Sequence, residues 1–118
     1  MAWEIEVSDE FKDWYNSLDE PEWESVNSAV GKLERYGPEL GRPYADTLYS
    51  SKFPNLKELR IQHRGRPLRI LFIFDPRGNA YLILGADKTG DANWYVVAIR
   101  QAEAIYAQHL KELGERTQ

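Results

Sequence analysis

The chain has no cysteine and only two histidines, His63 and His109, among its 118 residues. Without cysteine there are no disulfides, no thiolate chemistry and no cysteine-built zinc site. Two histidines argue against a histidine-based centre as well, so no metal is expected. No run of about eighteen apolar residues occurs, and no charged leader precedes an apolar stretch. The expectation is a soluble, cytoplasmic protein that is not exported and has no membrane partner. The Gly-rich phosphate loop, HExxH and GxSxG are all missing. Gly85-Ala86-Asp87-Lys88-Thr89-Gly90 lacks the spacing of a P-loop, and no cofactor is expected.

What the chain does have is an uneven distribution of charge. The total is −4. Residues 1–40 hold 3 basic and 11 acidic side chains, residues 41–90 hold 9 and 4, and residues 91–118 hold 3 and 4. A basic middle therefore follows an acidic first third. Local sign decides what a surface attracts more than the total does. Acidic helix faces turned to solvent would give the same totals.

The length suits one domain, residues 1–118. Trp3 to Val7 alternates apolar and polar, as a half-buried strand does. Ser8 suits a helix N-cap, with Asp9 and Glu10 in the favourable first turn. Phe11, Trp14, Tyr15 and Leu18 follow at helical spacing. Pro21 suits the first turn of a second helix, which Gly37-Pro38 ends. Trp14, Trp23, Tyr36 and Tyr106 are expected in the core. Residues 38–55 read as a long loop. Strands are predicted at Leu56–Gln62, Leu68–Asp75 and Ala80–Ala86. Ile70 to Phe74 is apolar throughout, so that strand should be central and covered on both faces. Asp91 is placed to cap a last helix. The order β-α-α-β-β-β-α predicts an α+β fold: a small, mostly antiparallel twisted sheet with helices packed on one face.

Leu56 to Arg69 is the most informative segment. Arg64-Gly65 reads as a two-residue hairpin turn. That turn sets Arg60 directly opposite Arg69, on a face shared with Glu58, Gln62 and Leu71. Like charges opposed across strands are destabilising, so such a pair implies an anion to hold. Arg64, Arg66 and His63 would lie at the rim, with Lys57 and Lys88 at strand ends. Arginine holds phosphate bidentately and stays charged at any working pH. Tyr49, Trp94 and Tyr95 are candidates to stack bases. The competing reading is an ordinary salt-bridged surface, with Glu58 paired to Arg69 or Arg60.

In order along the chain, Trp3-Glu4-Ile5, Phe11 with Trp14, Leu40-Gly41-Arg42-Pro43, Leu56-Lys57-Glu58-Leu59-Arg60, Arg69-Ile70-Leu71-Phe72 with Phe74-Asp75, and Asp87-Lys88 form a pattern. The final helix, with Ala102 and Tyr106, completes it. The set resembles the RelE/ParE superfamily of toxins from bacterial type II toxin–antitoxin modules. Within it, the chain is most similar to the HigB-type, phage-derived Gp49-like group. The resemblance implies a metal-independent endoribonuclease that cuts mRNA on the translating ribosome by attack of a ribose 2′-hydroxyl on the adjacent phosphate. It also implies contact with ribosomal RNA and a cognate HigA-like antitoxin with a helix-turn-helix.

On that reading Arg60 and Arg69 hold the phosphate, and proton transfer falls to His63, Lys57, Lys88 or Tyr95. Lys88 matches the family's basic residue after the last strand, with Asp87 beside it. Arg42, Arg64, Arg66, Trp94 and Tyr95 would bind RNA. Two features depart from the group: the overall acidity, and the lack of a Lys-Lys pair or Lys-Thr-Pro after Lys88. A ParE-like inhibitor of DNA gyrase, or an inactive phage-derived binding domain, would share the fold.

Overall fold

A computed structural model describes residues 2–116. The elements are β1 (Ile5–Val7), α1 (Asp9–Asn16), α2 (Glu20–Tyr36), β2 (Ala45–Thr47), β3 (Lys57–His63), β4 (Arg66–Phe74), β5 (Ala80–Asp87) and α3 (Trp94–Arg116). The sheet order is β1-β5-β4-β3-β2. Only the β1–β5 pairing is parallel, so the sheet is mostly antiparallel as expected. β1 is an edge strand, and β4 is central.

The local signals for α1 and α2 are realised. The Ser8 hydroxyl accepts from the Phe11 N–H at 2.9 Å. Asp19 and Glu22 form a reciprocal capping box that opens α2, with Pro21 in its first turn. Asp91 does not sit directly at the start of α3. Its carboxylate accepts from the Asn93 N–H and its carbonyl from the Trp94 N–H, a tight turn leading into the helix.

The expectation that all helices share one face is corrected. α1 and α2 cover Leu59, Ile61, Leu68, Ile70, Phe72 and Leu82. α3 covers the opposite face, where Ala98, Ile99, Ala102 and Tyr106 meet Leu71, Ile73, Tyr81 and Ile83. This is why β4 is apolar at successive positions: both of its faces are roofed. A bulge between Leu71 and Phe72 skips Ile83 in the β5 register. The buried Ser8 hydroxyl donates to the Ile83 carbonyl, which ties the start of α1 to the bulge. Gly85 is required where α1 crosses β5, since a Cβ there would lie 2.3 Å from the Trp14 ring.

Residues 38–55 are not featureless. A 3₁₀ turn spans Gly37–Glu39, and β2 adds a short edge strand to β3. Trp23 and Tyr36 are also corrected, since both are exposed. The Trp23 ring stacks on Tyr15 at the surface and donates its N–H to the Tyr15 carbonyl. Among the described residues, no helix is long and apolar enough to cross a membrane.

Candidate functional site

The hairpin is built by its turn. Arg64 and Gly65 both have positive φ, 49° and 79°, the backbone that a two-residue turn needs to match strand twist. The register follows: Arg60 pairs with Arg69, and Glu58 with Leu71. Glu58, Arg60 and Arg69 therefore share the α3 face, as the turn predicted.

The two arginines differ in environment. Arg69 is buried, and its Nη1 donates to the Leu68 carbonyl at 3.0 Å. Its Nε lies 3.3 Å from Glu58 Oε1, close enough for an ion pair. The geometry is too poor for a hydrogen bond, and this N–H is the one buried side-chain donor left unmatched among the described residues. Arg60 is exposed. Both arginines line one cleft of about 280 Å³, with Pro43, Ile61 and Gln62. Two guanidiniums thus line one cleft, and the buried carboxylate paired with Arg69 also serves a tyrosine.

Glu58 accepts the Tyr95 hydroxyl at 2.6 Å. Burial raises the Tyr95 phenol above its ordinary value, and the Glu58 hydrogen bond adds to the rise. Arg69 works in the opposite direction, and the Tyr95 hydroxyl proton is directed at Glu58. The Lys88 ammonium lies 5.6 Å from the centroid of the Tyr95 ring. Arg60, Arg69, Glu58, Tyr95 and Lys88 form one constellation. Asp46, opposite Glu58 on β2, pairs with Arg42 at 3.0 Å at its edge. The hydrogen bond from the Thr47 N–H, and then Arg42, hold Asp46 below the usual carboxylate range.

Other expected site residues are not brought together here. His63 is buried, not at an exposed rim, and its Nδ1 lies 2.7 Å from the Ser25 hydroxyl of α2. It lies beneath α2, across the sheet from the arginine pair. Lys57, opposite Phe72, alternates onto that same far face. Arg66 pairs with His63 in register and is held by Glu22 at 2.8 Å and Asp87 at 3.1 Å. The Glu22 hydrogen bond, followed by that of Asp87, raises its guanidinium further. Trp94 is corrected as a stacking residue: it is buried, packed against α3's core partners and edge-on to Tyr95. Arg64 stands exposed in the turn, and Tyr49 is 85% exposed in the loop after β2.

Glu58 is the residue whose importance the sequence understated. The signal was its place two residues before Arg60, which in a strand puts both on one face.

Residues 13–107 match the family described as phage derived protein Gp49-like (DUF891). The chain belongs to that family. This Gp49-like chain is 38% identical to the putative toxin HigB2 of Mycobacterium tuberculosis over 117 residues, 98% of its own length and 58% of that protein. It is 46% identical to the putative toxin HigB3 of the same organism over 83 residues, 70% of its length and 71% of that protein. The chain thus spans little more than half of the first relative. Its fold is RelE-like. The E. coli toxin RelE, a double arginine-to-alanine mutant in the free state, superposes with a TM-score of 0.58 at 12% identity, over 95% of this chain and 98% of that one. A chain of the archaeal RelE–RelB complex from Pyrococcus horikoshii OT3 gives 0.56 at 12% identity, over 76% and 99%.

Proposed function

We propose that residues 1–118 act as one domain, the toxin of a type II toxin–antitoxin pair, and that this toxin cleaves ribosome-bound mRNA. The reading rests on one observation: a buried guanidinium with an unmatched N–H faces an exposed guanidinium across a cleft, beside a carboxylate and a tyrosine. In the reaction a ribose 2′-oxygen bonds to the adjacent phosphorus and the bond to the 5′-oxygen breaks. The products are a 2′,3′-cyclic phosphate and a 5′-hydroxyl end.

Negative charge gathers on the non-bridging oxygens, where Arg60 and Arg69 stabilise it; fixed donors of this kind are typically worth about 10²–10³ in rate each. Glu58 accepts the 2′-hydroxyl proton. Tyr95 or Lys88 returns a proton to the leaving 5′-oxygen. Arg42 and Arg64 are assigned to flanking phosphates.

HigB relatives and a RelE–RelB neighbour support an antitoxin partner, which we assign to the HigA-like, helix-turn-helix kind. Action on translating ribosomes places the protein in the cytoplasm, in contact with ribosomal RNA. Primer extension on cellular mRNA after induced expression tests the reading. Cuts that appear with the wild type and vanish with Arg60→Ala are expected. Growth arrest with intact mRNA and stalled DNA replication would overturn it in favour of a ParE-like gyrase inhibitor. No phenotype without antitoxin would favour an inactive binding domain.

A further inference from the structure

A second cleft opens beside the arginine pair. β2 covers β3 only over Lys57–Leu59, which leaves the rest of that edge free of a neighbouring strand. Between this edge and α2 lies a cleft of about 530 Å³, whose lining includes Ser28, Lys32, Tyr44, Arg60 and Gln62. Pro43, Arg60, Ile61 and Gln62 line both this cleft and the smaller one that reaches Arg69, so the two adjoin.

Tyr44 is held in place by its main chain, since its carbonyl accepts the Arg60 N–H at 2.8 Å. Its side chain is not in the core; the residue is 46% exposed. The Lys32 ammonium lies 5.0 Å from the centroid of its ring. Glu24 is the one acidic residue in the lining, against the cations Lys32 and Arg60.

We infer that this cleft carries the RNA segment next to the scissile phosphate, with a base stacked on Tyr44 and a flanking phosphate held between Lys32 and Arg60. The inference deepens the proposed RNA-cleaving role and rests on it. Sites for single-stranded nucleic acid combine a cationic track with aromatic platforms, because every base has a π-face and every linkage a charge. The Ser28 hydroxyl and the Gln62 amide add groups able to bond a 2′-hydroxyl or a base edge. An acidic peptide would use the two cations but leave the Tyr44 ring without a role. RNA uses both.

The test is fluorescence anisotropy of the full chain with a labelled, mixed-sequence 2′-O-methyl oligoribonucleotide. That probe lacks the attacking hydroxyl, so binding is read apart from cleavage. Tyr44→Ala should weaken binding by about five- to a hundred-fold, the range of losing one stacked base. Tyr44→Phe should retain it, which separates stacking from structural damage. Lys32→Glu should weaken binding and Glu24→Gln should tighten it, two opposite shifts that do not depend on the Tyr44 variant folding.

Unchanged affinity in Tyr44→Ala and Lys32→Glu, with binding lost in Arg60→Ala, would overturn the cleft and leave the arginine site standing. The same two variants keeping RNA affinity while escaping an antitoxin would give the cleft to an acidic peptide and also overturn the inference. No binding by the wild type would overturn the cleft, while cuts in cellular mRNA that depend on Arg60 would leave the proposed function standing.

Discussion

Two clusters of charge lie beneath α3, near opposite ends of β4. At the far end, Asp75 follows the last residue of the strand. Its buried carboxylate accepts from the Arg77 side chain, from the Arg77 and Asn79 N–H groups, and pairs with His109 at 3.0 Å. Arg77 also reaches Glu6, and the His109 ring stacks on Tyr81 with centroids 3.7 Å apart. At the near end, Glu58 has Arg69 and Tyr95 as partners, Arg60 opposes Arg69, and the Arg69 Nε–H lies 3.3 Å from Glu58 but is not aligned for a hydrogen bond.

Both clusters mix acids and bases at similar depth, yet their hydrogen-bonding states differ. Buried polar groups are nearly always matched, and an exception calls for a reason. The Asp75 cluster is matched within the protein and so reads as a clasp joining the end of β4 to α3. The Arg69 cluster keeps an unmatched donor beside a second cation and an open cleft, and so reads as a site awaiting an anion.

If this contrast is right, the two ends should fail in different ways. Asp75→Asn should cost about 1–3 kcal/mol of stability, because it leaves buried hydrogen-bonding groups around His109 and the 75–79 turn mismatched. Chemical denaturation would measure it, and a loss within error would dissolve the idea of a clasp. Arg69→Ala should also destabilise, because it leaves Glu58 buried without its cation. Arg60, which is exposed, is therefore the cleaner probe of function: Arg60→Ala should lower cleavage by about a hundred-fold or more and leave the thermal unfolding curve in place. A shift of that curve would mean that Arg60 is structural too.

Acid should expose the clasp by itself. Burial works to raise the Asp75 carboxyl, but the hydrogen bonds from Arg77, then His109 and the backbone, outweigh it and hold it below its ordinary 3.8. Its stabilising contribution is then complete above that pH and fades as pH falls through the lower folded value. The stability gap between wild type and Asp75→Asn should narrow in that window and not above it. The smallest effect should come from Arg66→Ala. Its pairs with Glu22 and Asp87 lie at the surface, where ion pairs contribute little, and calorimetry should find a change well under that of Asp75→Asn.

The near end was legible in the sequence because turn chemistry fixes register. Arg64-Gly65 admits positive φ at both positions, and the pairing of Arg60 with Arg69 follows from counting. Alternation also contained the answer for His63, which continues the face of Leu59 and Ile61 and so belongs under α2. The assumption that turn residues are exposed overrode it. The far end was not legible. Asp75 and His109 lie 34 residues apart, and nothing local marks them as partners. The side taken by α3 depends on how the chain leaves β5, which periodicity does not encode. Trp94 looked available because it begins a helix beside a basic loop, yet it starts the same buried stripe as Ala98 and Ala102. β2, three residues long and without alternation, gave no signal.

The most direct test of the central claim, that the arginine pair stabilises a scissile phosphate under 2′-hydroxyl attack, is to map RNA ends by their chemistry. Cells producing the wild type should accumulate new 5′-hydroxyl ends inside coding regions, and cells producing Arg60→Ala at the same level should not. New ends bearing 5′-phosphates, or 5′-hydroxyl ends equally abundant with Arg60→Ala, would contradict it.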